Sequence, residues 1–129
     1  MWLAVSKKNP LAEKTRIRIE HIAREPLIGY AAPSFTMDRV MRVLAPHGKT
    51  PWIELSGKTA ALGYVAAGLG VAFVSLLSSQ VPAHPGVVLF DVTSMFEPAS
   101  FHLAWRPRTL ATWEQAFVDL MTRDRKASS

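Results

Sequence analysis

The 129-residue chain contains no cysteine, which excludes a disulfide framework, a thiolate zinc site and a cysteine nucleophile. Aromatic residues make up only 9%, and they do not alternate with the basic residues as a nucleic-acid stacking surface would require. The middle of the chain is nearly neutral. Lys7, Lys8, Lys14, Arg16 and Arg18 gather near one end, and Arg123, Arg125 and Lys126 near the other. The net charge of +5 therefore reads as solvated ends rather than a nucleic-acid stripe.

Long apolar runs are also scarce. One stretch, Ala60 to Leu77, has eighteen residues without a charge, at the lower limit for a membrane-spanning helix. Gly63, Gly68 and Gly70 interrupt it, and its two halves have different periods, so the reading is a helix followed by a strand. The short apolar start precedes Lys7 and Lys8, the reverse of a secretory signal. No membrane partner and a cytoplasmic location are expected. The length allows one domain, and 49% apolar with 19% charged residues is a globular composition.

Trp2 to Val5 reads as a strand, and Asn9-Pro10 turns the chain out of it. Arg16 to Ile19 alternates with period two, Glu20 to Arg24 allows one helical turn, and Leu27, Ile28 and Tyr30 suggest the next strand. Met37, Val40, Met41 and Leu44 recur at i, i+3, i+4, i+7, predicting a helix over 36–45. Trp52 to Leu55 follows as a strand. A second helix opens at Ser56 to Thr59 with Leu62, Val65, Ala66 and Leu69 as its core face, closed by Gly68 or Gly70 in a left-handed conformation. Val71 to Val74 is a continuous apolar run, as in a strand covered on both faces. Leu76 to Val81 reads as a short helix or turn. Val87 to Val92 and Phe101 to Trp105 read as strands, and Leu110 to Met121 as an amphipathic helix. Strands alternating with helices give an α/β fold with a mostly parallel sheet and helices on both faces.

Familiar motifs fail on inspection. Gly57-Lys58-Thr59 lacks the first P-loop glycine, whose position holds Trp52. Gly68-Leu69-Gly70 stands before a strand instead of after one, the wrong order for a dinucleotide fingerprint. His21, His47, His84 and His102 have no metal-ligand spacing, and no acid, base or nucleophile cluster stands out. Neither a metal, a cofactor nor an enzymatic activity is expected. Pro33-Ser34-Phe35-Thr36 is more informative. It lies where a strand ends and a helix begins, so hydroxyls, a ring and a helix N-terminus converge at the carboxyl edge of the sheet, where open α/β sheets bind ligands. The same residues also suit a helix cap.

Taken together, Asn9-Pro10-Leu11-Ala12, Glu25-Pro26-Leu27-Ile28, the Pro33 to Thr36 turn, Val65 to Ala72 (VAAGLGVA), Pro85-Gly86-Val87-Val88 and Leu103-Ala104-Trp105-Arg106 resemble the effector-binding domain of LysR-type transcriptional regulators. The resemblance runs from about Trp2 to Met121. It implies a lobe like those of type 2 periplasmic binding proteins, with a small-molecule effector between two lobes. On this reading residues 1–129 are a partial domain. About 9–97 are the second lobe, and 2–5 and 101–121 are remnants of the first.

The family's winged helix-turn-helix has no counterpart in the chain, so direct DNA binding is not expected of it. By position, Pro33, Ser34, Phe35 and Thr36 match the family's second-lobe effector contacts. Ser56, Gly57 and Lys58 form another loop that can face the cleft, with Lys58 suited to a carboxylate. The turn and His47-Gly48 are most similar to regulators of aromatic-acid catabolism. The resemblance thus implies an effector sensor for a small anionic metabolite. The alternative is a dimerisation or interaction module without a ligand. Trp113, Phe117 and Leu120 would lack first-lobe partners and so favour a homodimer or swapped assembly.

Overall fold

The computed structural model describes residues 1–75, 84–100 and 102–123. The elements follow in the order β1 (Trp2–Ser6), a 3-10 turn (Pro10–Glu13), α1 (Ile19–Ile22), β2 (Leu27–Tyr30), α2 (Phe35–Leu44), β3 (Pro51–Leu55), α3 (Lys58–Ala66), β4 (Val71–Val74), β5 (Val87–Asp91) and α4 (Thr112–Arg123). They divide into two compact units, Met1–Pro98 and Ala99–Ser129.

All five strands form one sheet in the first unit, ordered β3-β2-β4-β1-β5. β2 is parallel to both β3 and β4. β1 is antiparallel to both β4 and β5, so β5 runs the same way as β4 and a single strand opposes the other four. The sheet is mostly parallel, as the alternation of elements implies. β1, whose residues 2–5 the resemblance assigns to the first lobe, lies in this sheet between β4 and β5.

Period-two alternation divides the strand side chains between two faces. Leu3 and Val5 of β1, Leu27 of β2, and Val71 and Phe73 of β4 pack with Leu11, Ile17, Ile22, Met37, Val40 and Leu44. Ala4, Ile28, Ala72 and Val74 point the other way, onto Ala61, Leu62 and Val65. α1 and α2 thus cover one face and α3 the other. The connection β2-α2-β3 steps toward one edge and β3-α3-β4 steps back past β2, so two crossovers of the same hand must place their helices on opposite faces. Phe73 anchors the first face, its ring meeting that of Phe96 edge-on at 5.5 Å between centroids and 80° between planes.

α2 begins one residue earlier than its periodicity indicates and buries Met37, Val40 and Leu44. α3 buries Ala61, Leu62 and Val65, but Leu69, expected on that face, is 44% exposed. The helix ends before it. Gly68 adopts φ 82°, its N–H donates to the Val65 carbonyl at 2.8 Å, and the Leu69 N–H donates to the Tyr64 carbonyl at 3.1 Å. This reversal swings Leu69 off the apolar stripe. Gly68 is therefore the left-handed stop. The charge-free stretch from Ala60 contains a helix end, this turn and a buried strand, and no helix among the described residues is long and apolar enough to cross a membrane.

The second unit differs from expectation. Residues 102–105 belong to no regular element, whereas Phe101 to Trp105 reads as a strand; Phe101 itself lies outside the described residues. A strand needs a partner for its N–H and C=O groups, and α4 is the sole regular element of this unit among the described residues. The expected helix or turn from Leu76 to Val81 also lies outside the described residues.

Candidate functional site

Among the described pairs, β2 and β4 are matched only at Leu27 with Val71 and Ile28 with Ala72. Beyond these, β2 continues along β3, with Gly29 opposite Glu54 and Tyr30 opposite Leu55. β4 continues along β1, with Leu3 opposite Phe73 and Trp2 opposite Val74. The sheet forks at its carboxyl edge, between the strands whose onward connections run in opposite directions. That is where open α/β sheets form ligand crevices.

A cavity of about 320 Å³ opens there, lined by Tyr30, Ala31, Pro33, Ser34, Thr36, Ser56, Lys58 and Ser75. The loops after β2, β3 and β4 all contribute. Five residues singled out from sequence, Pro33, Ser34, Thr36, Ser56 and Lys58, are brought together in its wall. Gly57 and Phe35 are not in the wall. Gly57 takes the extended N-cap position of α3, where it contributes backbone alone. Phe35 lies one α2 turn from Arg39, whose guanidinium carbon is 5.7 Å from the Phe35 ring centroid and 5.7 Å from that of Phe96. The Arg39 guanidinium also donates to the Glu97 carbonyl.

Ser34 caps α2. With φ −140° and ψ 106°, its Oγ accepts from the Met37 N–H at 3.2 Å, which leaves its own proton available as a donor. Thr36 sits in the first turn of the same helix and Lys58 at the first position of α3. Two helix N-termini, each carrying partial positive charge, thus meet the cavity beside a lysine. The first turn of α3 contains no acid, that of α2 carries Asp38, and none of the described lining residues is acidic. Hydroxyls from Ser34, Thr36, Ser56 and Ser75 supply neutral donors and acceptors.

Tyr30, Ala31 and Ser75 also line the wall, and no motif in the sequence marks them. Tyr30 ends β2 and Ser75 follows β4, so the carboxyl-edge rule that points to Ser34 and Thr36 points to them as well once strand order is known. The Tyr30 hydroxyl donates to the Phe73 carbonyl at 2.8 Å, and burial pushes its pKa up to about 12. It is a neutral phenol with its proton committed.

The fold recurs in effector domains of known regulators. The cofactor-binding domain of the Cbl transcriptional regulator is 24% identical with a TM-score of 0.70, and the match covers 92% of this chain and 54% of that one. The CcmR regulatory domain of Synechocystis PCC6803 in complex with 2-PG is 21% identical with a TM-score of 0.70, covering 98% and 62%. The effector-binding domain of QuiR in complex with shikimate is 18% identical with a TM-score of 0.65, covering 98% and 61%. This chain spans less than two thirds of each of these structures. A family model described as the LysR substrate binding domain matches residues 1–126, and with that match over nearly its whole length, the chain belongs to the LysR substrate-binding domain family.

Proposed function

We propose that this chain senses a small anionic metabolite for a LysR-type transcriptional regulator in the cytoplasm, and that the ligand sits in the cavity at the carboxyl ends of β2, β3 and β4. The carrying observation is the wall of that cavity, where Ser34, Thr36, Ser56, Ser75 and Lys58 meet with no acidic residue among the described lining. An anionic group fits between Lys58 and the start of α2, where charge-assisted hydrogen bonds are stronger than neutral ones. The hydroxyls orient the rest of the molecule. The complexes of CcmR with 2-PG and QuiR with shikimate support this class of ligand. The role is binding and signalling, without catalysis.

Thermal shifts of the purified chain with sulfate, shikimate and a neutral polyol test the reading. A ligand present at a hundred times its Kd stabilises by about 2.7 kcal/mol. Stabilisation by the anions, reduced in Lys58→Gln and Thr36→Val, is expected. No anion shift, or an equal shift with the polyol, refutes it.

A second reading, self-association, is favoured by α4. Trp113 is 73%, Phe117 49% and Leu120 64% exposed, and covering such side chains stabilises by roughly 1.5–3 kcal/mol each. Sedimentation showing a monomer at high concentration refutes it.

A further inference from the structure

We infer that Tyr30 is a positioning residue for the ligand cavity, an inference that rests on the cavity being the effector site. Its hydroxyl pins the two prongs of the forked sheet and so sets the width of the cavity between them. Past Ile28 and Ala72, no ladder pairing between β2 and β4 is described. One prong is β2 with β3, extended by the Ala31 N–H donating to the Leu55 carbonyl at 3.0 Å. It bears Ala31, Pro33, Ser34, Thr36, Ser56 and Lys58. The other is β4 with β1, and it bears Ser75.

Tyr30 belongs to the first prong and donates to Phe73 on the second, across 43 positions of sequence and at 2.8 Å. The bond lies two residues before Ser75, and the Tyr30 ring packs against the core clusters on both faces of the sheet. A side chain thus continues the bridging that the backbone ladder has stopped making. Because the phenol stays neutral up to about pH 12, the pin holds throughout the physiological range. A cavity of about 320 Å³ is at the small end of metabolite sites, so a change in the width of the fork alters which ligands reach both prongs.

Tyr30→Phe keeps the ring and removes the pin. The test compares Kd for shikimate, which is large enough to touch both prongs, with Kd for inorganic sulfate, which is satisfied by Lys58 and the start of α2 alone. Tyr30→Phe is expected to weaken shikimate about tenfold, because a fork no longer held at one width must be ordered when a ligand spans it, and to leave sulfate within about twofold. Ile22→Val, a core truncation in α1, controls for stability and leaves both constants unchanged. Should Tyr30→Phe not fold, the Tyr30 hydroxyl proton of the unmodified chain is followed by NMR; slower exchange with shikimate than with sulfate is expected, and equal exchange with both overturns the inference. Equal weakening of both probes, or of neither, overturns the inference and leaves the site reading standing. Sulfate binding without shikimate binding by the unmodified chain overturns the inference alone, and binding of neither probe overturns both.

Discussion

Substituting the two glycines that flank Leu69 with alanine separates conformational strain from steric conflict within three residues. Gly68 has φ 82°, and a Cβ added there meets nothing within 4 Å. Gly68→Ala therefore costs little beyond the left-handed penalty, about 1–2 kcal/mol. Gly70 has φ 152°, and its added Cβ would lie 2.4 Å from the Pro26 carbonyl oxygen. That oxygen accepts the Val71 N–H at 2.9 Å, and Val71 pairs with Leu27 in the next strand. Retreat from the clash breaks a bond at the centre of the sheet. Backbone strain of about 1–3 kcal/mol and overpacking of about 1–3 kcal/mol combine to about 4 kcal/mol for Gly70→Ala. Each kcal/mol lowers Tm by about 4–8 °C in a unit of this size. Urea unfolding of both variants, with the midpoint read at constant m-value, should rank Gly70→Ala well below Gly68→Ala. Equal losses would refute the assignment of Gly70 to close backbone approach and of Gly68 to helix reversal.

Two further outcomes follow from the packing and the charges. Phe73→Ala removes a ring that is 1% exposed and edge-on to Phe96, at a cost of about 3–5 kcal/mol; urea unfolding within 1 kcal/mol (roughly) of the unmodified chain would contradict the core assignment. In the second unit, the Arg108 guanidinium and the Ala111 N–H hold the Glu114 carboxyl down at about 2, from its ordinary 4.5. A depressed carboxylate contributes stability that is present above about 4.5 and lost as pH falls toward 2. The start of α4 should therefore loosen across that window, with an NMR-detected Glu114 midpoint that rises in high salt and in Arg108→Gln. A midpoint near 4.5 in the unmodified chain would show that the pair does not form in solution.

Wherever the physics is local, the sequence shows it directly. The spacing of Met37, Val40 and Leu44 and the cap at Ser34 depend on residues within a few positions of one another, so α2 is legible in the sequence, whereas for the end of α3 the sequence offers Gly68 and Gly70 alike. The alternation of strand and helix leads to the α/β class for the same reason. Phe101 to Trp105 shows the limit, since an apolar run has strand propensity but becomes a strand only beside a partner. Leu69 shows it again, because helical periodicity carries no sign of where the chain reverses.

The cavity shows both sides. Pro33, Ser34 and Thr36 are visible as a strand-to-helix turn, and Lys58 as the opening of the next helix. That these two turns face each other and Ser75 follows from strand order, whereas Phe35 meets Arg39 one turn along α2. The chain's own pattern determines most of its elements, the cap of α2 and the acid-free start of α3. The order β3-β2-β4, the fork between β2 and β4 and the bond from Tyr30 to Phe73 were decided only by tertiary structure, because they join groups dozens of residues apart whose pairing no local propensity encodes.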